Sequence, residues 1–330
     1  MKAKAEMQMA TDFDECSRVR LLKFLNSPSD IDFLAKAKSV AERAGQMIID
    51  EVLRRGMAVV IGSRVEKSDG SPVSDIDLMA HQVMVKGLGE ISNFPLVSEE
   101  DPNGPLSIEE IPGGEFFWLA DPLDGTRDFL AGEKTFAVAL SLMRKAESPT
   151  EAEALGAARG YWGVIVDPSE RRSWAASRFM SLEKSIAGQP AGLLATLHPP
   201  GSTAFDAGAS KDRRGLGLRI LGSRSIPSHR MEQLYQFWGS NDVTRMGSAI
   251  KFALIAEGLF DVYPRFGPTA EWDTAAGQIL LEAQGGGLYS LATGLPMRYG
   301  KRYWSNGGFL AARTTDLLEV WTPRMRLHQN

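Results

Sequence analysis

The chain has a single cysteine, Cys16, in 330 residues, which excludes an internal disulfide framework and agrees with a reducing compartment. Histidine is scarce too: His81, His198, His229 and His328 are scattered without metal-ligand spacing, which argues against a zinc enzyme. No apolar stretch approaches the ~20 residues needed to cross a bilayer. No block of lysine or arginine marks a nucleic-acid groove, and the net charge is a mild -4, so any nucleotide ligand is expected to be small rather than a polymer. Residues Met1 to Asn26 mix both charge signs around no uninterrupted apolar core, unlike a signal peptide or an anchor. They are read as a variable extension. The expectation is a soluble, cytoplasmic protein, with peripheral membrane association left open and a homodimer admitted.

What remains is an ordinary globular composition, 43% hydrophobic and 24% charged, in a chain long enough for two domains. From Ile31 to about Leu53, apolar residues recur at three and four, the pattern of an amphipathic helix, and a second helix is expected from Asp75 to about Gly87. Short β-rich runs follow at Pro95 to Ser98, Glu115 to Ala120, Thr135 to Met143 and Tyr161 to Val166. Two helices and then a meander predict an α+β layer with a mostly antiparallel sheet. The polar stretch from Arg144 to Ala157 reads as a long hairpin loop. Between Ser177 and Gly217 the composition turns to Gly, Ala, Pro and Ser, the best candidate for a boundary or an insertion. Beyond it, strands at Leu218 to Gly222 and Phe260 to Tyr263 alternate with helices at Met231 to Trp238, Ser248 to Glu257 and Asp273 to Gln284, an α/β pattern. The expected division is an extension over 1–30, an α+β domain over 31–176 and an α/β domain over 177–330.

The richest stretch is Trp118-Leu119-Ala120-Asp121-Pro122-Leu123-Asp124-Gly125-Thr126. Two carboxylates three residues apart follow an apolar strand and precede a glycine turn. Asp121, Asp124 and the Leu123 carbonyl would form an all-oxygen set that suits magnesium better than zinc. The amides of Gly125 and Thr126 would open a short helix and offer its positive end to a phosphate. An Asx-turn capping that helix is the competing explanation. Likewise Asp273 reads as the N-cap of the helix that follows, while the small residues Ala275, Ala276 and Gly277 leave the backbone bare for close approach by a ligand. Glu99, in Val97-Ser98-Glu99-Glu100-Asp101, is either part of a solvated loop or another converging carboxylate. Two divalent ions a few ångströms apart repel unless anions from separate segments surround them. Glu99, Asp121, Asp124 and Asp273 can supply that charge. Asp77, just past the expected cap at Ser74 or Asp75, and the hydroxyl of Thr126 are the candidates to orient and deprotonate an attacking water.

Asp121-Pro122-Leu123-Asp124-Gly125-Thr126 and Trp272-Asp273-Thr274-Ala275-Ala276 resemble the two signatures of the inositol monophosphatase superfamily, lithium-sensitive and magnesium-dependent phosphatases. Ser71-Pro72-Val73, Val97 to Asp101, Gly247-Ser248-Ala249-Ile250-Lys251-Phe252 and Val262 to Thr269 look closest to its CysQ-type 3'(2'),5'-bisphosphate nucleotidases. The resemblance spans about Ile31 to Ala312. It implies the layered α-β-α-β-α sandwich of the inositol monophosphatase / fructose-1,6-bisphosphatase type. It makes Glu99, Asp121, Asp124, Asp273 and the Leu123 carbonyl the ligands of two Mg2+ ions, with a third admitted, and Asp77 with Thr126 the water-activating pair. The substrate side would comprise Glu99, Gly125, Thr126, Ser225, His229, Gly247, Ser248, Lys251, Arg265 and Asp273. Lys251 would face a second phosphate, although a surface lysine would look the same in sequence. The family's Ser-Arg-Ser-His element is stretched here to Ser223-Arg224-Ser225-Ile226-Pro227-Ser228-His229, and Ala139 stands where the family often has Asn. The implied activity is hydrolysis of adenosine 3',5'-bisphosphate to AMP and phosphate. An inositol or other sugar phosphatase is the alternative, and a non-catalytic phosphate-binding protein the remote one.

Overall fold

The computed structural model describes residues 28–66, 72–177, 180–186, 192–193, 218–224, 226, 232 and 243–326. Cys16, Ser225, His229, residues 187–191 and 194–217 of the Gly-, Ala-, Pro- and Ser-rich stretch, and the helix expected from Met231 to Trp238, apart from residue 232, lie outside the described residues.

Helix α1 (Pro28–Arg55) ends at Gly56, whose φ of 79° breaks it. A short helix α2 (Met57–Gly62) precedes the β1–β2 ribbon (Val65–Glu66 and Pro72–Val73), and α3 (Asp75–Gly89) follows. Ser74 caps α3, as one of the two sequence alternatives had it. Asp75, the other, instead faces Arg55 and accepts the Ser63 hydroxyl at 2.6 Å.

Seven strands build the first sheet: β3 (Leu96–Ser98), β4 (Phe116–Asp124), β5 (Ala137–Lys145), β6 (Ala158–Asp167), β7 (Arg172–Ser177), β8 (Met180–Ile186) and β9 (Gly192–Leu193), in that order across the sheet. Only β3 and β4 run parallel; the other pairs are antiparallel. Strand β4 is apolar throughout its first half because both faces are covered. Trp118 and Ala120 pack with Leu34, Val40, Ile48, Ile76 and Met84 of α1 and α3. Phe117 and Leu119, offset by one residue, join the core on the opposite side, as the two-residue period of a strand requires.

One expectation is corrected here. The stretch from Arg144 to Ala157 holds a helix, Pro149–Leu155, in place of a plain loop, where Ser148 accepts the Glu151 amide and Pro149 opens the first turn. Strand β8 extends the first sheet into the compositionally weak region, beyond residue 176.

The second sheet has the order β11-β10-β12-β16-β14, from β10 (Ile220–Ser223), β11 (Val243–Met246), β12 (Val262–Arg265), β14 (Gly287–Ser290) and β16 (Phe309–Ala312). Its β10 is parallel to both neighbours, and β16 is antiparallel to both of its own. Helices Ile250–Ala256 and Ala275–Glu282 lie between the two sheets, where Phe252, Ala276 and Leu280 share one core with Leu119 and Ile165 of the first sheet and Tyr263 and Phe309 of the second. Helix Thr315–Arg326 covers the outer face through Leu317, Leu318 and Trp321. The order of layers is therefore α-β-α-β-α.

Candidate metal and phosphate site

The parallel pairing of β3 with β4 sets Ser98 beside Ala120, and the Glu99 amide donates to the Ala120 carbonyl at 3.2 Å. Glu99 and Asp121 thus leave adjacent strands at the same end. Asp121 still pairs with Ala139 on β5, after which the ladder breaks and resumes at Asp124 opposite Ala137. Pro122 and Leu123 occupy the break. Proline cannot donate to a ladder, which suits it to an irregularity of this kind.

Asp273 arrives from the other half of the molecule. The short strand β13 (Thr269–Ala270) pairs with β15 (Ser305–Asn306), and the Asn306 amide donates to the Ala270 carbonyl at 3.2 Å and to Thr274 Oγ1 at 2.8 Å. Asp273 is not the N-cap of the following helix; that position belongs to Thr274. The Asp273 carboxylate reaches back to accept the Ala270 amide at 2.9 Å, which leaves it turned away from the helix. The bare first turn is not a ligand surface either: Ala275 and Ala276 are buried, and a Cβ on Gly277 would meet the Phe252 ring at 2.3 Å. Small residues there serve the packing of two helices between two sheets.

One oxygen from each of Glu99, Asp121 and Asp273 lies within 4.8 Å of the others. These three line a cavity of about 750 Å3 together with Leu123, Asp124, Gly125, Thr126, Gly247, Ser248, Lys251 and Arg265. Burial, and after it the charges of Glu99, Asp124 and Asp273, holds Asp121 well above the usual carboxylate range. Burial likewise raises Asp273, with Asp124 and Glu99 adding to it. Burial pushes Asp124 up to about 6 against the opposing pull of Lys251. Carboxylates crowded in this way repel one another, and a divalent cation relieves the repulsion. All the donors are oxygens, which fits a hard cation such as Mg2+.

No Asx-turn caps the short helix Thr126–Leu130: its N-cap is Gly125, with no side-chain hydrogen bond to the cap. Asp121 Oδ1 accepts the Leu123 amide at 3.0 Å, fixing the turn while the carboxylate still faces the cavity. Asp124 accepts the Ala249 amide, which ties the metal loop to the second half. Thr126 Oγ1 lies 2.9 Å from Asp77 Oδ1 and 3.1 Å from the Leu123 carbonyl. Asp77 Oδ2 accepts both the amide of Ser74, at 2.9 Å, and its hydroxyl, at 2.5 Å. Two residues 49 positions apart in sequence therefore meet.

Lys251 is not a surface lysine. It is 4% exposed, donates to the Ser248 carbonyl at 2.6 Å and sits 4.9 Å from the centre of the Tyr263 ring. Burial brings its pKa down to about 8, with Asp124 opposing. Gly247 is confined by Asp128, whose carboxylate would lie 1.7 Å from an added Cβ. Arg265 donates to Ser223 Oγ at 2.7 Å and to the Pro268 carbonyl at 3.2 Å. Of the expected substrate residues, Ser225 and His229 are outside the described set; the rest line the same cavity. One participant went unnoticed in the sequence. Trp272 donates its indole N–H to Glu99 at 2.9 Å, across a separation no local pattern reveals.

A sequence profile of the inositol monophosphatase family matches residues 30–328. The chain belongs to the inositol monophosphatase family. It is 32% identical over 248 residues to the 3'(2'),5'-bisphosphate nucleotidase CysQ of Escherichia coli K12, covering 74% of this chain and 87% of that protein. The CysQ of Buchnera aphidicola is 30% identical over 251 residues, covering 74% and 82%. Among solved structures, CysQ from Bacteroides thetaiotaomicron superposes with a TM-score of 0.61 at 28% identity, covering 84% of this chain and 96% of the other. An inositol monophosphatase of Thermotoga maritima matches with a TM-score of 0.62 at 16% identity, over 91% and 100%, and supports the layered fold.

Proposed function

We propose that the chain is a Mg2+-dependent phosphomonoesterase that removes the 3'-phosphate of adenosine 3',5'-bisphosphate, giving AMP and phosphate. The observation that carries this reading is the convergence of Glu99, Asp121 and Asp273 in one cavity that also holds the buried cation Lys251. Similarity to the CysQ nucleotidases supports the choice of substrate.

In this reading Glu99, Asp121, Asp124, Asp273 and the Leu123 carbonyl hold two Mg2+ ions, with room in the scheme for a third. Bound there, Mg2+ supplies Lewis-acid stabilisation of the phosphoryl and leaving oxygens and makes water a nucleophile near neutral pH. Thr126 Oγ1 donates its proton to Asp77 and keeps lone pairs to accept one from the attacking water. The amides of Gly125 and Thr126 face the transferred phosphate, and Lys251 and Arg265 take the phosphate that stays on the nucleotide. Lithium inhibition is expected through competition at a magnesium position.

A substrate panel tests the reading. Phosphate release from adenosine 3',5'-bisphosphate is expected to exceed release from inositol 1-phosphate, and Lys251→Met should lower kcat/KM for the bisphosphate by about tenfold to a hundredfold, the worth of one hydrogen bond to a charged group. Activity on 3'-AMP, which lacks the second phosphate, should change little. Preference for inositol 1-phosphate would mean a sugar phosphatase, and no Mg2+-dependent release from any ester would leave a phosphate-binding protein.

Metal affinity should also depend on pH in a defined direction. Burial pushes the Asp124 carboxyl up to about 6, so one unit lower only about a tenth of it would be charged, and protons would compete with the cation. Mg2+ binding measured by calorimetry is expected to weaken at least about tenfold between pH 8 and pH 5, with proton release on binding near pH 6. A flat affinity over that range would remove Asp124 from the ligand set.

A further inference from the structure

The three metal-site carboxylates do not stand on equally firm supports. Asp121 lies on β4, which has a ladder on both sides, but Glu99 follows β3, a strand of three residues at the edge of the sheet with a ladder on one side only. A short parallel edge pairing is the weakest ladder in the sheet. Something beyond it has to hold the turn after Ser98.

Helix α3 supplies a contact at that point. Asp77 and His81 are four residues apart on it and lie on one face, and both are buried, at 0% and 7% exposure. Asp77 reaches Thr126 beyond the end of β4. One turn further along, His81 Nδ1 is 2.9 Å from the hydroxyl of Ser98, which is fully buried and also accepts the Glu100 amide at 3.3 Å. A single rigid helix thus grips both the water-orienting threonine and the residue immediately before Glu99. Burial lowers the imidazole pKa, which keeps the ring neutral and able to pair with a hydroxyl.

We propose that His81 is a positioning residue: through Ser98 it fixes the Ser98-Glu99-Glu100 turn against helix α3 and so places the Glu99 carboxylate for the metal. This rests on the reading of Glu99 as a ligand. Partners that orient metal ligands are commonly worth about 10-fold to 100-fold in metal affinity. His81 touches neither substrate nor the reacting atoms, so its removal acts on metal binding before it acts on chemistry.

The test uses Mn2+ as an oxygen-preferring probe, titrated into the metal-free full-length protein with free Mn2+ read by electron paramagnetic resonance. His81→Phe keeps a planar aromatic ring and deletes the hydrogen bond; its Mn2+ dissociation constant is expected to rise about tenfold, with kcat at saturating metal within about threefold of the parent. His81→Asn, whose amide can pair with the Ser98 hydroxyl in either sense, should restore affinity to within about threefold. Glu99→Gln serves as reference. Weak Mn2+ binding by Glu99→Gln with normal binding by His81→Phe overturns the positioning role and leaves the ligand assignment standing. Normal binding by both variants overturns the ligand assignment and this inference with it. Loss of kcat at saturating metal without loss of affinity also overturns it. Should His81→Phe fail to fold, Ser98→Ala removes the same bond by deleting one oxygen, and parental Mn2+ affinity in that variant is again fatal to the proposal.

Discussion

Asp121→Asn is expected to lower kcat/KM by at least about a thousandfold, the effect of losing some 4 kcal/mol of metal-dependent transition-state stabilisation, while making the metal-free protein more stable. Both effects have one origin. Asp121 is 2% exposed and is held well above the ordinary carboxylate range by burial and by Glu99, Asp124 and Asp273. Because its folded pKa is raised above the unfolded one, the native state binds more protons than the unfolded chain, and stability is lost as pH rises from the ordinary carboxylate range toward the raised value. Asp124 adds to the same loss up to about 6. At pH 8 without metal the cluster is therefore under strain from its own charge. Asparagine removes one charge yet can still accept the Leu123 amide through Oδ1, so the turn survives. The melting temperature of the metal-free variant at pH 8 should rise by about 2 °C, and the stabilisation that Mg2+ gives the parent should shrink. A metal-free melting temperature below the parent's would mean that Asp121 serves the turn rather than the metal, and parental turnover would remove it from the site.

Such trade-offs explain why the site was easier to read in sequence than its supports. Carboxylates beside Pro and Gly stand out because turns and metal loops draw on the same few residue types, so Asp121, Asp124 and Asp273 could be picked out before their meeting was known. The continuous apolar run of β4 and the helical period of α1 were equally visible, since β4 is buried on both faces and α1 packs its apolar stripe against one of them. Lys251 was ambiguous for a physical reason. Its helix lies between two sheets and is buried on every side, so no polar face marks which residues meet solvent. Asp273 looked like an N-cap because an Asp before an apolar run fits either role, and only the Ala270 amide decides between them. In the sequence, Trp272 is only a member of a signature stretch and His81 only one of four scattered histidines. Their partners, Glu99 and Ser98, lie far off in the chain, and nothing in local spacing encodes a contact made through tertiary structure.

Asp77→Asn should separate chemistry from metal binding more cleanly than any ligand variant. Asp77 is fully buried, and its two oxygens are fully used, one by the amide and hydroxyl of Ser74 and the other by Thr126. With a carboxylate at this position, Thr126 must direct its own proton toward Asp77, which leaves its lone pairs toward the cavity. An asparagine can satisfy only one of those two sides as an acceptor and offers a donor to the other. If the oxygen stays with Ser74, which supplies two donors, the amide N–H points at Thr126 Oγ1 and occupies the lone pair that would take the proton from water. Turnover is then expected to fall by about 100-fold to 10,000-fold, the usual range for a lost proton acceptor, with the Mg2+ dissociation constant unchanged within about threefold, because Asp77 is not among the residues that line the cavity with Glu99, Asp121, Asp124 and Asp273. Thr126→Val should behave alike, while Thr126→Ser, which keeps the hydroxyl, should recover most of the rate. Steady-state kinetics at saturating Mg2+, paired with calorimetric metal titration, distinguishes the cases. A variant that loses metal affinity in proportion to rate would make Asp77 a support for the metal loop, and unchanged turnover in both Asp77→Asn and Thr126→Val would place the proton acceptor elsewhere in the cavity.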